Sequence, residues 1–353
     1  MAVTYNFTVR ALDTSGAFAD RAFSLTINNT AVYRFIAVGG SNTYKSYDGI
    51  SWEVDAGVSG IQVEYGNGVW LMLGNGGVSP DGTSISMLRS SDGVTWDSYQ
   101  APITIAGGTP PFPSGQLIAK SVQYFNNTWF LLYSGTVDTF LILASSTDNG
   151  LTWSTVSKVG SISTFHDVSG FVYNPNTGHM LISTQSTPLY MSTDGGLTWD
   201  TVSTPAGSFY NGERIAYANG VYFYLNGNSG TTTPCNVYRS INGVNWTTVY
   251  TGPSSTTGPG SPVYGNGIFA FAATNTGVIA KTTDGGTTWV NNSALGTNSV
   301  PHQRYQGIAF NYGTWVRVNN PGTTFSYSRN NMSTWTDVSV SGMTNTRYIG
   351  IRP

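Results

Sequence analysis

A short pattern that ends in tryptophan recurs seven times along this chain of 353 residues. Ser192–Trp199 is one of three copies that follow S/T-x-D-x-G-x-T-W in full. The closing residues are Trp52, Trp96, Trp153, Trp199, Trp246, Trp289 and Trp335, spaced 43 to 57 residues apart. A repeat of this length is too long for one hairpin and fits a four-stranded antiparallel sheet with its turns. The chain must therefore fold as a series of similar small sheets.

Each copy has the residue types of a tight turn. Asp or Asn accepts hydrogen bonds from nearby backbone N–H groups, Gly adopts positive φ without strain, and the opening Ser or Thr adds a second acceptor. The tryptophan can cover the base of the hairpin and wedge against the next sheet. The acceptors are Asp48, Asp92, Asp148, Asp194, Asn242, Asp284 and Asn330. With at most one carboxylate per turn, the pattern indicates structure and not a calcium loop.

Seven sheets of this kind predict an all-β, seven-bladed β-propeller over residues 31–353. The first blade, near residues 33–56, lacks an inner strand. Arg347–Ile351 repeats the opening strand Arg304–Ile308 of the seventh blade. We therefore expect the C-terminal strand to supply the missing inner strand and close the ring.

The repeated segments resemble the Asp-box, or BNR repeat, of sialidase-like and related propellers. That resemblance implies that the segments lie on outer hairpins, away from any site, and so it names a fold without an activity. The seventh copy departs most from the family pattern. It has Asn330 in place of Asp and Met332 in place of the turn glycine, so we expect its tight turn to be disturbed.

Residues 1–30 do not carry the repeat. They predict a β-hairpin with arms Tyr5–Ala11 and Arg21–Ile27 and a turn at Asp13–Gly16. The segment resembles the last two strands of immunoglobulin-like or cadherin-like modules of bacterial surface and phage tail proteins. A lone hairpin is marginal in water, so we expect it either to complete a sheet of another subunit or to pack on the side of the propeller.

Composition excludes several classes of partner. Only 9% of the residues are charged and the formal net charge is −2, without a Lys or Arg run, so binding to nucleic acid or to an anionic membrane is not expected. The single Cys235 and three scattered histidines predict no metal site, and we expect no cofactor. Met1–Tyr5 has no basic segment before an apolar run, which argues against a cleaved secretory signal. The longest insertion, Ala101–Gly115, is predicted to be a surface loop.

Evidence for catalysis is partial. If the resemblance extended to the activity of sialidase-like enzymes, it would imply three arginines, a Tyr–Glu pair and an acidic Asp. Glu64, Asp167 and Glu213 are the only acids expected near the central channel, whereas a glycosidase needs two facing carboxylates. The candidate binding residues are Glu213, Arg214, Arg304, Tyr305, Arg347 and Tyr348.

The sequence therefore favours a non-enzymatic structural or adhesive component of a phage tail or other virion projection. In this hypothesis residues 1–30 anchor the chain to other virion proteins in an oligomeric assembly, and the propeller binds host-surface glycans outside the cell. The alternative is a sialidase-like glycoside hydrolase or lyase acting on host polysaccharide. A third hypothesis is an assembly factor like those of photosynthetic complexes, against which the absence of a basic patch counts.

Overall fold

The structure is a computed structural model, and it describes residues 2–28, 32–79, 82–105, 117–135, 140–161, 168–184, 189–203, 214–226, 236–252, 259–273, 279–292, 307–319 and 323–353. Within these ranges the chain forms thirty β-strands and no helix. Accordingly, none of these residues belongs to a helix that could cross a membrane.

The N-terminal strands β1 (Ala2–Leu12) and β2 (Phe18–Asn28) pair in antiparallel register along their whole length. Asp13 closes the turn, because its Oδ1 atom accepts hydrogen bonds from the backbone N–H groups of Ser15, at 2.8 Å, and Ala17, at 2.9 Å. The hairpin predicted from the alternating pattern is present, with longer arms. All the side chains described here, from residue 6 to residue 24, are exposed, which contradicts the expectation that the hairpin could pack on the side of the sheets.

The remaining strands, in chain order, are β3 (Phe35–Gly39), β4 (Asn42–Ser46), β5 (Glu53–Ala56), β6 (Gln62–Gly66), β7 (Val69–Val78), β8 (Ser84–Ser90), β9 (Asp97–Thr104), β10 (Leu117–Phe125), β11 (Thr128–Gly135), β12 (Phe140–Ser146), β13 (Trp153–Ser161), β14 (Val168–Tyr173), β15 (Met180–Thr184), β16 (Leu189–Ser192), β17 (Asp200–Val202), β18 (Arg214–Ala218), β19 (Val221–Asn226), β20 (Asn236–Ser240), β21 (Thr247–Thr251), β22 (Pro259–Gly265), β23 (Ile268–Ala273), β24 (Ile279–Thr282), β25 (Val290–Asn292), β26 (Ile308–Asn311), β27 (Thr314–Asn319), β28 (Thr324–Ser328), β29 (Thr336–Ser339) and β30 (Thr346–Ile351).

These strands group into antiparallel units of four. We number the units along the chain: unit 1 is β30, β3, β4 and β5, unit 2 is β6 to β9, unit 3 is β10 to β13, and units 4 to 7 take the next four strands each, up to β29. In unit 1 the C-terminal strand β30 pairs with β3, with Phe35 opposite Ile351. The pairing expected from the repeat in Arg347–Ile351 is therefore present.

Units 2 and 3 share one eight-stranded sheet, which the sequence did not predict. Their outer strands β9 and β13 pair in parallel, with Trp153 opposite Ile103. Residues 101–104 are thus part of a strand, and the prediction of a loop there was wrong. Ala101 and Ile103 are buried against Trp153 in the same apolar cluster, so burial favours the extended conformation. Residues 106–116 of the predicted loop lie outside the described residues.

The apolar core lies between consecutive units. Phe35 and Tyr44 of unit 1 pack with Val316 and Phe325 of unit 7. On the other face of unit 1, Ile36 and Val38 belong to a cluster with Trp70 and Met72 of unit 2. The inner strands contact one another in the order β6, β10, β14, β18, β22, β26 and β30, and β30 contacts β6. Each unit therefore buries both faces against its neighbours, which explains why its central strands are apolar on both sides.

Candidate functional site

The seven repeated turn segments use their polar side chains internally. In the fourth, the Ser192 hydroxyl donates to Asp194 Oδ1 at 2.8 Å and accepts from the Gly196 N–H at 2.8 Å. The Thr198 N–H donates to Asp194 Oδ1 at 3.0 Å, and its hydroxyl donates to Oδ2 at 2.6 Å. The Thr198 hydroxyl and N–H, followed by Ser192, lower the pKa of Asp194 to about 2. Such a carboxylate is ionised, and its oxygens already accept hydrogen bonds within the turn. The described residues contain no cluster of potential metal ligands.

Four of the seven tryptophans close their own turns through the indole N–H, whereas the buried indole N–H groups of Trp96, Trp246 and Trp335 make no such bond. The indole N–H of Trp52 donates to the Gly49 carbonyl at 3.2 Å, and that of Trp199 donates to the Gly196 carbonyl at 3.1 Å. The Trp52 ring stacks on Phe325 of unit 7 with centroids 3.9 Å apart. The packing of these tryptophans against the neighbouring sheet, expected from the sequence, is confirmed at this interface.

The turn glycines allow close contact between units. A Cβ atom at Gly150 would lie 2.4 Å from Leu71 of unit 2, and one at Gly196 would lie 2.5 Å from Leu143 of unit 3. In both cases φ is also positive, at +80° and +91°. Only glycine satisfies both requirements without a shift of the neighbouring unit.

The seventh segment keeps its turn, so the expectation that Met332 would disturb it was wrong. Asn331 and Met332 adopt positive φ values of 56° and 65°. The Met332 N–H donates to Ser328 Oγ at 3.0 Å, and the Thr334 N–H donates to Asn330 Oδ1 at 2.9 Å. The Met332 side chain is fully buried with Ile268 and Ala270 of unit 6 and fills the space that a glycine would leave. Burial of this apolar side chain offsets the backbone strain.

A polar cluster joins the inner strands of units 1, 2 and 3. The Gln62 side-chain amide pairs with the backbone of Val122: its Nε2 atom donates to the carbonyl at 2.9 Å, and its Oε1 atom accepts from the N–H at 3.1 Å. Gln62 Nε2 also lies 3.2 Å from the Tyr348 hydroxyl, which donates to Glu64 Oε2 at 3.3 Å. This cluster places a carboxyl group beside a tyrosine hydroxyl where units 1, 2 and 3 meet.

Burial raises the pKa of Glu64 to about 8, and the hydrogen bond from Tyr348 acts more weakly in the opposite direction. By surface area the side chain keeps some contact with solvent. The dense protein surroundings dominate, because a small contact with water solvates a charge much less than bulk water does. At neutral pH the carboxyl group is therefore mainly protonated, as a general acid requires.

The structure brings together few of the predicted site residues. Tyr348 is buried in the cluster with Glu64, which is 284 positions away in the chain. The side chain of Arg347, one residue earlier, is exposed, and Arg214 begins β18 opposite Leu225, with its side chain outside the description. Glu213, Arg304, Tyr305 and Asp167, which was predicted to lie near the channel, are also outside the described residues. Sequence reasoning missed the role of Gln62. It is the only amide among the equivalent opening-strand positions, three places before the terminal aromatic residue or its equivalent, which are Gln62, Ser121, Gly170, Arg214, Ser261, Gly307 and Gly350.

Comparisons with known proteins show the fold alone. No protein-family model matches the chain, and no curated protein matches it. A putative 6-phosphogluconolactonase from Bacteroides fragilis is 9% identical, with 92% of this chain and 98% of that chain covered and a TM-score of 0.60. A second, from Bacteroides uniformis, is 8% identical, covers 90% and 98% of the two chains, and has a TM-score of 0.59.

The structure of YCF48 bound to a D1 peptide is 15% identical, with 83% of this chain and 90% of that chain covered and a TM-score of 0.54. YCF48 from Cyanidioschyzon merolae is 13% identical over 82% and 94% of the two chains, with a TM-score of 0.50. Identities this low carry no activity from these proteins to this chain. Together with the repeated four-stranded sheets, these neighbours show that the chain has an all-β, propeller-like fold.

Proposed function

We propose that this chain is a seven-bladed Asp-box propeller, closed by β30, that serves as a non-enzymatic adhesion component of a phage tail or virion projection. The N-terminal hairpin anchors it to other virion proteins, and the propeller binds host-surface glycans. Units 1 to 7 are the seven blades. The cyclic order of inner-strand contacts, including β30 against β6, supports closure. The hydrogen bonds of the turn segments support their assignment as Asp-boxes.

The observation that carries the anchoring role is the exposed apolar face of the hairpin. Phe7 pairs with Phe23, and their rings stack with centroids 5.7 Å apart. Because strand side chains alternate between faces, Val9 lies on the same side. Phe7, Val9 and Phe23 are 48%, 49% and 42% exposed. A two-stranded sheet with such a face gains stability when another sheet covers it, as in strand addition or sandwich completion.

The anchoring role is tested with purified particles. We expect mass spectrometry to find the chain in the particle, and the double variant Phe7→Ser/Phe23→Ser to be lost from it. Leu12→Ser/Phe18→Ser is the matched control, because it removes two exposed apolar side chains from the other face of the same hairpin. Equal incorporation of both variants, or absence of the native chain from particles, would contradict the proposal.

A second candidate function, a glycoside hydrolase, is favoured by one observation. Burial raises the pKa of Glu64 to about 8, as a proton donor to a glycosidic oxygen would need. A second carboxylate is required, and Asp167 and Glu213 are the remaining candidates. A screen for glycan hydrolysis with Glu64→Gln and Glu213→Gln as controls separates the two functions. Turnover that either change abolishes would favour the enzyme over the adhesin.

A further inference from the structure

Unit 1 differs from the other units at the ends of its two inner strands. Elsewhere a tight turn, such as Asn67-Gly68, joins the first strand to the second. In unit 1 these strands come from distant parts of the chain, so Arg34 precedes β3 and Arg352 follows β30. The Arg352 N–H donates to the Arg34 carbonyl at 2.9 Å. Two arginines thus lie opposite each other where the other units have a turn.

Both guanidinium groups stack on tyrosine rings of the flanking units. Arg34 Cζ lies 3.6 Å from the ring centroid of Tyr312 in unit 7, and Arg352 Cζ lies 4.7 Å from that of Tyr65 in unit 2. The Asn311 side-chain amide donates to the carbonyls of both arginines and fixes the strand ends. Stacking uses the face of a guanidinium and leaves the N–H donors along its edges free for an anion.

Neither arginine is neutralised by the described part of the chain. The ion pairs there are Arg10–Asp20 and Lys45–Asp55. No hydrogen bond from either guanidinium to a described residue accompanies the stacking contacts. Like charges on opposite strand positions destabilise a sheet, and a bound anion would relieve that repulsion.

Tyr312 is held in a strained backbone conformation. Its φ is +45°, a region that the equivalent turns fill with Asn67, Asn219 and Asn266. Asparagine tolerates this region, whereas an aromatic residue does so at a cost of about 1 kcal/mol or more. Tyr312 is also 62% exposed, so burial of its side chain does not offset the backbone strain. Strain retained at an exposed aromatic residue points to a role in binding.

Unit 6 packs against unit 7 beside this turn and carries a further exposed tyrosine. The Phe310 ring occupies the space above Gly265, where a Cβ atom would lie 2.2 Å from it. The adjacent Tyr264 is 42% exposed. An exposed tyrosine face such as that of Tyr312 stacks on sugar rings, which suits an anion carried by a sugar better than a small free anion.

We propose that Arg34, Arg352 and Tyr312 form a binding site for a carboxylated sugar of an acidic polysaccharide. The edges of the guanidinium groups bind the carboxylate, and Tyr312 stacks on the sugar ring. This inference rests on the proposed glycan-binding function and specifies its site and ligand class. The alternative source of a sugar-borne anion, a sulfate ester, is distinguished by experiment.

Calorimetry on the full chain should use an oligogalacturonide, a neutral cello-oligosaccharide of equal length and a sulfated derivative of the latter. We expect Arg34→Gln/Arg352→Gln to weaken oligogalacturonide binding about tenfold or more, because charge-assisted hydrogen bonds are lost. Arg21→Gln/Arg329→Gln removes the same charge from exposed sites elsewhere, and we expect a change below about twofold. Arg34→Lys/Arg352→Lys keeps the charge without the planar fork and should give an intermediate loss.

Tyr312→Asn provides a second readout that loss of folding cannot imitate. Asparagine relieves the backbone strain, so thermal stability should be equal to or higher than that of the native chain while oligogalacturonide affinity falls. Equal weakening by both arginine pairs, or unchanged affinity in Arg34→Gln/Arg352→Gln, would overturn the site. Tighter, arginine-dependent binding of the sulfated sugar would overturn the carboxylate assignment. Binding of the neutral sugar alone would support glycan binding by the propeller but contradict the site at Arg34 and Arg352. Binding of none of the sugars would contradict both proposals.

Discussion

At the scale of single residues, two neighbouring glycines in the fourth turn segment separate backbone strain from packing. Gly195 and Gly196 both have positive φ, but a Cβ atom at Gly195 meets nothing within 4 Å, whereas one at Gly196 meets Leu143. We expect Gly195→Ala to cost about 1 kcal/mol and Gly196→Ala to cost ~1–3 kcal/mol more. Urea unfolding of the two variants measures the difference, and equal losses would contradict the packing role of Gly196.

Glu64 predicts a pH dependence of stability. Its pKa rises from the ordinary value of 4.5 to about 8 on folding, so the folded state binds more protons between these values, and stability falls as pH rises through this window. Glu64→Gln removes the ionisable group. We expect it to be more stable than the native chain at pH 9, by an amount on the order of 2 kcal/mol, and to lose that advantage below about pH 4.5.

The comparison requires unfolding curves of both proteins at several pH values. Asp97→Asn is a suitable control, because Asp97 is exposed and belongs to no such cluster. A constant difference between Glu64→Gln and the native chain across the pH range would show that Glu64 does not titrate in this window.

At the scale of elements, the sequence predicts what local chemistry determines. The turn segments and the hairpin of residues 2–28 follow from side chains that bond to backbone groups within four positions. The parallel pairing of β9 with β13 does not follow, because it depends on how two outer edges meet after an insertion. The turn around Met332 was also mispredicted, since its stability comes from burial in unit 6 and not from the turn residues themselves. The pairing of Tyr348 with Glu64 likewise requires the assembled fold.

The C-terminal strand β30 gives a prediction at this scale. A chain truncated after Asn345 loses Tyr348 and Ile349 from the core and exposes the edge of β3. We expect the midpoint of thermal unfolding to drop sharply, and an excess of a peptide spanning residues 346–353 to restore part of it by pairing with β3. A scrambled peptide of the same composition is the control. Unchanged unfolding of the truncated chain would contradict the closing role that we propose for β30.

At the scale of the whole molecule, the hairpin and the sheet units differ in how they are stabilised. The central strands of the units are buried on both faces, as in β15, where all five residues are buried. In the hairpin every described side chain is exposed, and its stability rests on one sheet ladder with the Arg10–Asp20 ion pair. Surface ion pairs contribute little, about 0–1 kcal/mol. The two parts should therefore open independently.

Hydrogen exchange tests this difference directly. We expect the amides of β1 and β2 to exchange by local opening, orders of magnitude faster than those of β11 and β15, which open only with their units. Addition of the proposed anchoring partner should slow exchange in the hairpin and leave the units unchanged, because only the hairpin gains a covering sheet. Phe7→Ser/Phe23→Ser should abolish that protection, while Leu12→Ser/Phe18→Ser should keep it. Slow exchange in the hairpin of the isolated, monomeric chain would mean that the chain itself covers this face, and the hairpin would then have no need of a partner.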